Sequence, residues 1–136
     1  MKKIILLFAF VSVFYSCLDD DNEVSNVSFE LLPIDEYTIP ESFTLGEKAT
    51  IKLTYSLKNG CYYFDNVYAE QQADKIIIGV RAVIDFTSSV CTQAIVQEEY
   101  DYVLNIDQTE NYTFKFYKGT DANGDAIFEE VIVPVN

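Results

Sequence analysis

Apolar and polar residues alternate along this chain in run after run, and a period of two is what a half-buried β-strand requires. The clearest run is 50–58, where Ile51, Leu53, Tyr55 and Leu57 share one side and Lys52, Thr54, Ser56 and Lys58 share the other. A helix would scatter both sets around its axis, because its period is about 3.6 residues. Asn59-Gly60 follows, a dipeptide that tolerates positive φ and favours a tight reversal, and 61–69 then reads as a second strand. The segment 75–86 is a longer one, with Ile76, Ile78, Val80, Ala82, Ile84 and Phe86 on one face. In 99–106 the inward set is Tyr100, Tyr102, Leu104 and Ile106.

Tyr112, Phe114 and Phe116 alternate next, 121–125 turns the chain back, and 127–135 is the last strand. At the start, 27–34 makes a strand whose Pro33, with Pro40 beyond it, predicts an edge position and a sheet switch nearby, since proline cannot donate to a ladder. Helix is expected nowhere in 26–136, beyond a turn or two within 67–74. Seven or so short strands with irregular connections predict an all-β fold: an antiparallel β-sandwich of immunoglobulin-like type over 26–136. A closed barrel is the rival, because an Asn59-Gly60 hairpin would pair strands that a standard immunoglobulin sandwich keeps in different sheets.

The run from Ile106 to Tyr112 resembles the entry to the F strand of fibronectin type III and related domains. There a loop precedes a tyrosine whose hydroxyl closes a Greek-key corner, so the resemblance implies that Tyr112 packs inside and bonds back to the loop. Read without it, Tyr112 is one more half-buried strand aromatic.

Residues 1–16 do not belong to the domain. Lys2 and Lys3 precede an apolar run, 4–15, broken only by Ser12, and twelve residues fall short of the roughly 20 needed to span a bilayer. A charged start, a short apolar stretch and the small Ser16 define a secretory signal. Phe14-Tyr15-Ser16-Cys17 resembles the lipobox of bacterial lipoproteins, with Phe14 where leucine is commonest and Tyr15 where a small residue is. Cleavage before Cys17 and lipid on its sulfur follow from that resemblance. Asp19, Asp20 and Asp21 open an acidic tether, 17–25, and resemble the export signal of surface lipoproteins of Bacteroidota. The whole chain is similar to small lipoproteins of that phylum, which implies an outer-membrane, cell-surface location.

The formal charge is −13, and losing 1–16 removes two of nine basic residues and none of 22 acidic ones, giving −15. Nucleic acid is excluded as a natural partner, because phosphate binding needs clustered Lys and Arg. Basic proteins, cations and neutral glycans remain. With Cys17 acylated, Cys61 and Cys91 are left as a pair, and in an exported protein such a pair is expected to form a disulfide. Metal thiolates are disfavoured by two cysteines thirty positions apart and no histidine anywhere. The missing histidine also removes the commonest general base.

Asp121, Asn123 and Asp125 imitate half a calcium loop, but Ala126 and Ile132 stand where glycine and a carboxylate are needed, so a polar turn is the better account. Glu98-Glu99 and Glu129-Glu130 are paired carboxylates in sequence that read as solvated strand faces. Tyr62, Tyr63 and Tyr68, with Phe64, form the one aromatic concentration. As a strand, the segment turns Tyr63 away from Tyr62 and Phe64, which either exposes an aromatic binding surface or fills a second core. The expectation is a lipid-anchored, non-catalytic binding or accessory domain for a protein or glycan, with no cofactor or metal. An inhibitor of a basic secreted enzyme is the alternative, and a carboxylate-dependent glycosidase a remote one.

Overall fold

The computed structural model describes residues 26–136; the segments expected to be a signal, 1–16, and a tether, 17–25, with Cys17 and Asp19 to Asp21, lie outside the described residues. Eight strands follow one another: β1 (Val27–Leu32), β2 (Ile34–Thr38), β3 (Lys48–Leu57), β4 (Tyr62–Gln72), β5 (Lys75–Asp85), β6 (Val96–Asn105), β7 (Tyr112–Thr120) and β8 (Ala126–Val133). They form two sheets. One is β2-β3-β6, and the other holds β1, β4, β5, β7 and β8. This is the sandwich that the alternation predicts, with eight strands in place of about seven.

β5 organises the larger sheet. Along one edge it pairs antiparallel with β4, from Tyr62 opposite Ile84 to Gln72 opposite Lys75. Its other edge is shared: Lys75 to Ile78 run parallel to Thr113 to Phe116 of β7, and Val80 to Asp85 run antiparallel to β1. β7–β8, β2–β3 and β3–β6 are antiparallel. Pro33 is where the first strand changes sheets: β1 ends at Leu32 in the larger sheet and β2 begins at Ile34 in the smaller.

Three local expectations are corrected. Asn59-Gly60 is not a hairpin turn, because β3 and β4 lie in different sheets, so the chain crosses the sandwich there and the barrel is ruled out. Gly60 also does not use a left-handed conformation. It permits close approach: its N–H donates to the Thr92 carbonyl at 2.9 Å, and a Cβ would sit 2.1 Å from the Thr92 hydroxyl. The segment 67–74 has no helical turn. Its ladder with β5 continues to Gln72, and Ala73-Asp74 makes the reversal with φ 54° at Ala73. Phe86 is not core: β5 stops at Asp85, the Phe86 amide donates to the Asn26 carbonyl at 2.7 Å, and the side chain is 57 % exposed.

The core fills the space between the sheets. Ile51, Leu53 and Tyr55 of β3 face Ile78, Val80 and Ala82 of β5, all at 2 % exposure or less. Phe43, Tyr112, Phe114 and Phe116 form a connected aromatic row, with centroids 5.5 to 6.1 Å apart. Such rings contribute more than their area alone. Cys61 and Cys91 are bonded, with Cα atoms 5.3 Å apart. The antiparallel β4–β5 pair makes this possible, because the start of β4 lies beside the end of β5.

Tyr112 opens β7 and is 4 % exposed. Its hydroxyl accepts the Asp107 N–H at 3.2 Å and donates to the Asp107 carboxylate at 3.1 Å. The corner implied by the fibronectin resemblance is therefore closed. Tyr112→Phe keeps the ring and loses both bonds, and is expected to cost about 1 kcal/mol in a urea melt. An unchanged midpoint would reduce Tyr112 to a packing residue.

Candidate binding face

β4 decides where the tyrosines go. A β-bulge interrupts its pairing with β5 between Phe64 and Asn66, so Asp65 is the extra residue. Without it, Tyr63 and Tyr68 would point to opposite faces, being an odd number of residues apart. With it, Tyr62, Phe64 and Val67 pack toward the core while Tyr63 and Tyr68 look outward, 53 % and 36 % exposed. The three tyrosines singled out by the sequence are thus not brought together. Tyr62 lies inward, its hydroxyl donating to Glu30 at 2.6 Å. Lys58 bonds the same carboxylate and lies 5.9 Å from the Tyr62 ring centroid.

This margin cluster perturbs both groups. The hydrogen bond to Glu30, helped by burial, pushes the Tyr62 hydroxyl up to about 12. Burial raises the Glu30 carboxyl, but the bonds from Lys58 and Tyr62 and the Lys58 charge outweigh it, leaving a net lowering.

Across the outer face, β1 and β5 complete what β4 begins. Val83 of β5 sits between Phe29 of β1 and Tyr63 of β4, one residue opposite on each side. Directly opposed side chains are about 5 Å apart at Cβ, which sets the two rings about 10 Å apart. Phe29 is 59 % exposed. Arg81, one step along β5 on the same face, lies 5.0 Å from the Phe29 ring centroid, and its Nε donates to the bulged Asp65 at 2.5 Å. Leu31 lies across Gly79, where a Cβ would meet it at 2.8 Å. The result is an open aromatic and aliphatic surface holding one arginine already neutralised by Asp65. Among the described residues no pocket opens.

The other chemical candidates are separately engaged. Glu98 accepts from Tyr55 at 2.8 Å, whereas Glu99, on the opposite face, pairs with Lys52 at 3.3 Å. Glu129 accepts from Tyr37 and Glu130 pairs with Lys75. The Asp121 carboxylate accepts the N–H groups of Asn123 and Asp125 at 2.8 and 3.0 Å, which caps the turn.

Sequence reasoning found Tyr63 and Tyr68 but missed Phe29, Arg81 and Val83. The signal was present: Val27, Phe29 and Leu31 form an apolar alternation of their own. Taken locally, that set belongs inside, and only the packing of β1 turns it out.

Residues 51–133, from within β3 to the end of β8, match the family model described as the ORF11 beta-sandwich domain. No curated protein matches the chain. No solved structure matches it either. The family match covers more than half of the sequence, most of β3, all of β4 to β8 and both bridged cysteines, and on that basis the chain belongs to the ORF11 beta-sandwich domain family.

Proposed function

We propose that this protein is a lipid-anchored, non-catalytic binding domain of the cell envelope. Cys17 carries the lipid, and Asp19 to Asp21 direct the chain to the outer face of the outer membrane. The outer face of the larger sheet then contacts a protein or glycan partner. The observation that carries this reading is the row of exposed Phe29 and Tyr63 on either side of half-buried Val83, with Arg81 and Tyr68 beside it. Aromatic residues and arginine are enriched at contact surfaces, whereas an isolated exposed apolar residue means little.

Two arms test the reading. Wild-type protein is expected to partition into detergent and Cys17→Ser to remain in the aqueous phase; equal partitioning would remove the anchor. For the face, a photo-crosslinking residue at position 63 is expected to give adducts on whole cells, or soluble polysaccharides cast in a gel are expected to retard the domain. Either effect should fall at least tenfold with Phe29→Ser, about 1.4 kcal/mol. Neither adduct nor retardation, or either one indifferent to Phe29→Ser, would remove the face from the reading.

A further inference from the structure

The connection between β5 and β6, residues 86–95, is unlike the rest of the chain. In a sequence with 23 % charged residues, 86–97 holds none. Its apolar side chains point to solvent: Phe86 is 57 % exposed, Val90 77 % and Ile95 72 %, followed by Val96 at 47 %. Between them lie neutral hydrogen-bonding residues, Thr87, Ser88, Ser89, Thr92 and Gln93. The loop is braced. Cys91 is bonded to Cys61, the Thr92 carbonyl accepts from Gly60, and the Asp85 carboxylate accepts the Thr87 N–H at 2.8 Å. A covalent brace therefore holds an uncharged apolar surface outward on a strongly acidic domain.

Its position gives the reason. The Phe86 amide bonds to the carbonyl of Asn26, so the loop begins where the chain from Cys17 enters the domain. Nine peptide steps separate Cys17 from Asn26, a reach of about 30 Å at full extension. Resting on the proposed Cys17 anchor, we infer that loop 86–95 is a membrane-contact element that seats the domain on the lipid surface to which the tether holds it. Phe86, Val90 and Ile95 enter the headgroup–acyl boundary while the neutral polar residues between them bond to headgroups, as interfacial segments do. An acidic surface is repelled by anionic lipid, and the loop itself carries no charge between Asp85 and Glu98. The strands then stand away from the membrane, leaving the Phe29–Tyr63 face open to the side.

The chain contains no tryptophan, so one introduced residue reports alone. The full lipidated chain carrying Val90→Trp is reconstituted into phosphatidylethanolamine–phosphatidylcholine vesicles with brominated acyl chains. Ile132→Trp is the control; Ile132 is 59 % exposed and lies level with Lys75, the far end of β5, about 30 Å from the loop. The expected result is a blue-shifted emission at position 90, quenched at least twofold by bromolipid, with position 132 unaffected. Equal, water-like emission at both positions would overturn the loop's role. So would shielding of position 90 from iodide without lipid, which would assign the loop to a second copy, or shielding that needs added envelope proteins, which would assign it to a protein partner. The mass of the Cys17 peptide reports the anchor independently. If Cys17 carries no lipid, the same Trp chain with Cys17→Ser is added to vesicles in excess: bromolipid quenching there upholds the loop contact, and none overturns it.

Discussion

Removing the Cys61–Cys91 bridge by the paired change Cys61→Ser and Cys91→Ser is expected to destabilise the domain by roughly 3–4 kcal/mol. The cysteines are 30 residues apart, and closing a loop of that length restricts the unfolded chain by about this much in the chain-entropy model. A domain of this size has a total stability of only about 5–15 kcal/mol, so the loss is a large share of it. The melting temperature should fall by roughly 10–20 °C, since each kcal/mol shifts it by about 4 °C in a domain near 100 residues. Both positions are changed together so that no lone thiol confuses the result. A thermal melt within about 2 °C of wild type would show that the bridge contributes little. Two free thiols in the oxidised folded protein would remove it altogether.

Phe114→Ala is expected to cost about 3–5 kcal/mol, the range for truncating a fully buried aromatic. Phe114 is 0 % exposed and touches three other rings, those of Phe43, Tyr112 and Phe116. The cavity cannot collapse easily, because those neighbours are on β7 itself and on the 39–47 connection, which is held by Phe43 bonding to Pro134. Tyr63→Ala supplies the comparison: it removes a ring of similar size from the outer face and is expected to stay within about 0.5 kcal/mol. Urea denaturation of the two variants decides between them. Similar costs would mean that the outer face is a second packed layer, and the proposed contact surface would lose its basis.

Seven of the eight strand positions were legible because each depends on local alternation; β2, beyond Pro33, was not read as a strand of its own. In β3 and β7 the parity holding Ile51, Leu53, Phe114 and Phe116 is the more apolar, and in β5, apolar on both sides, the parity holding Ile78 and Val80 is the longer apolar run; all six are buried as that parity requires. Cysteine pairing was legible for a different reason: with Cys17 set aside on the expectation of a lipid anchor, Cys61 and Cys91 have only one intramolecular pairing. The hydroxyl of Tyr112 was legible through resemblance, not through pattern.

Facing, pairing and crossing belonged to the tertiary structure. In β1 the local pattern argues that Val27, Phe29 and Leu31 are core, yet Val27 and Phe29 are exposed and Glu30 turns inward to Lys58 and Tyr62. Leu32 and Ile34, both fully buried on either side of Pro33, take the inward positions, and strand parity then commits residues 28 and 30 to the same side. Asp65 reverses parity in β4 through a bulge that sequence does not mark, and so brings Tyr68 onto the face of Tyr63. Asn59-Gly60 has the composition of a hairpin but joins two sheets, because the Thr92 carbonyl and the Cys91 sulfur hold this stretch against the β5–β6 loop. Alternation by itself determined which residues form strands, since that choice depends on neighbours two positions away. Which side of each strand meets the core was decided only when distant segments competed for the same buried volume.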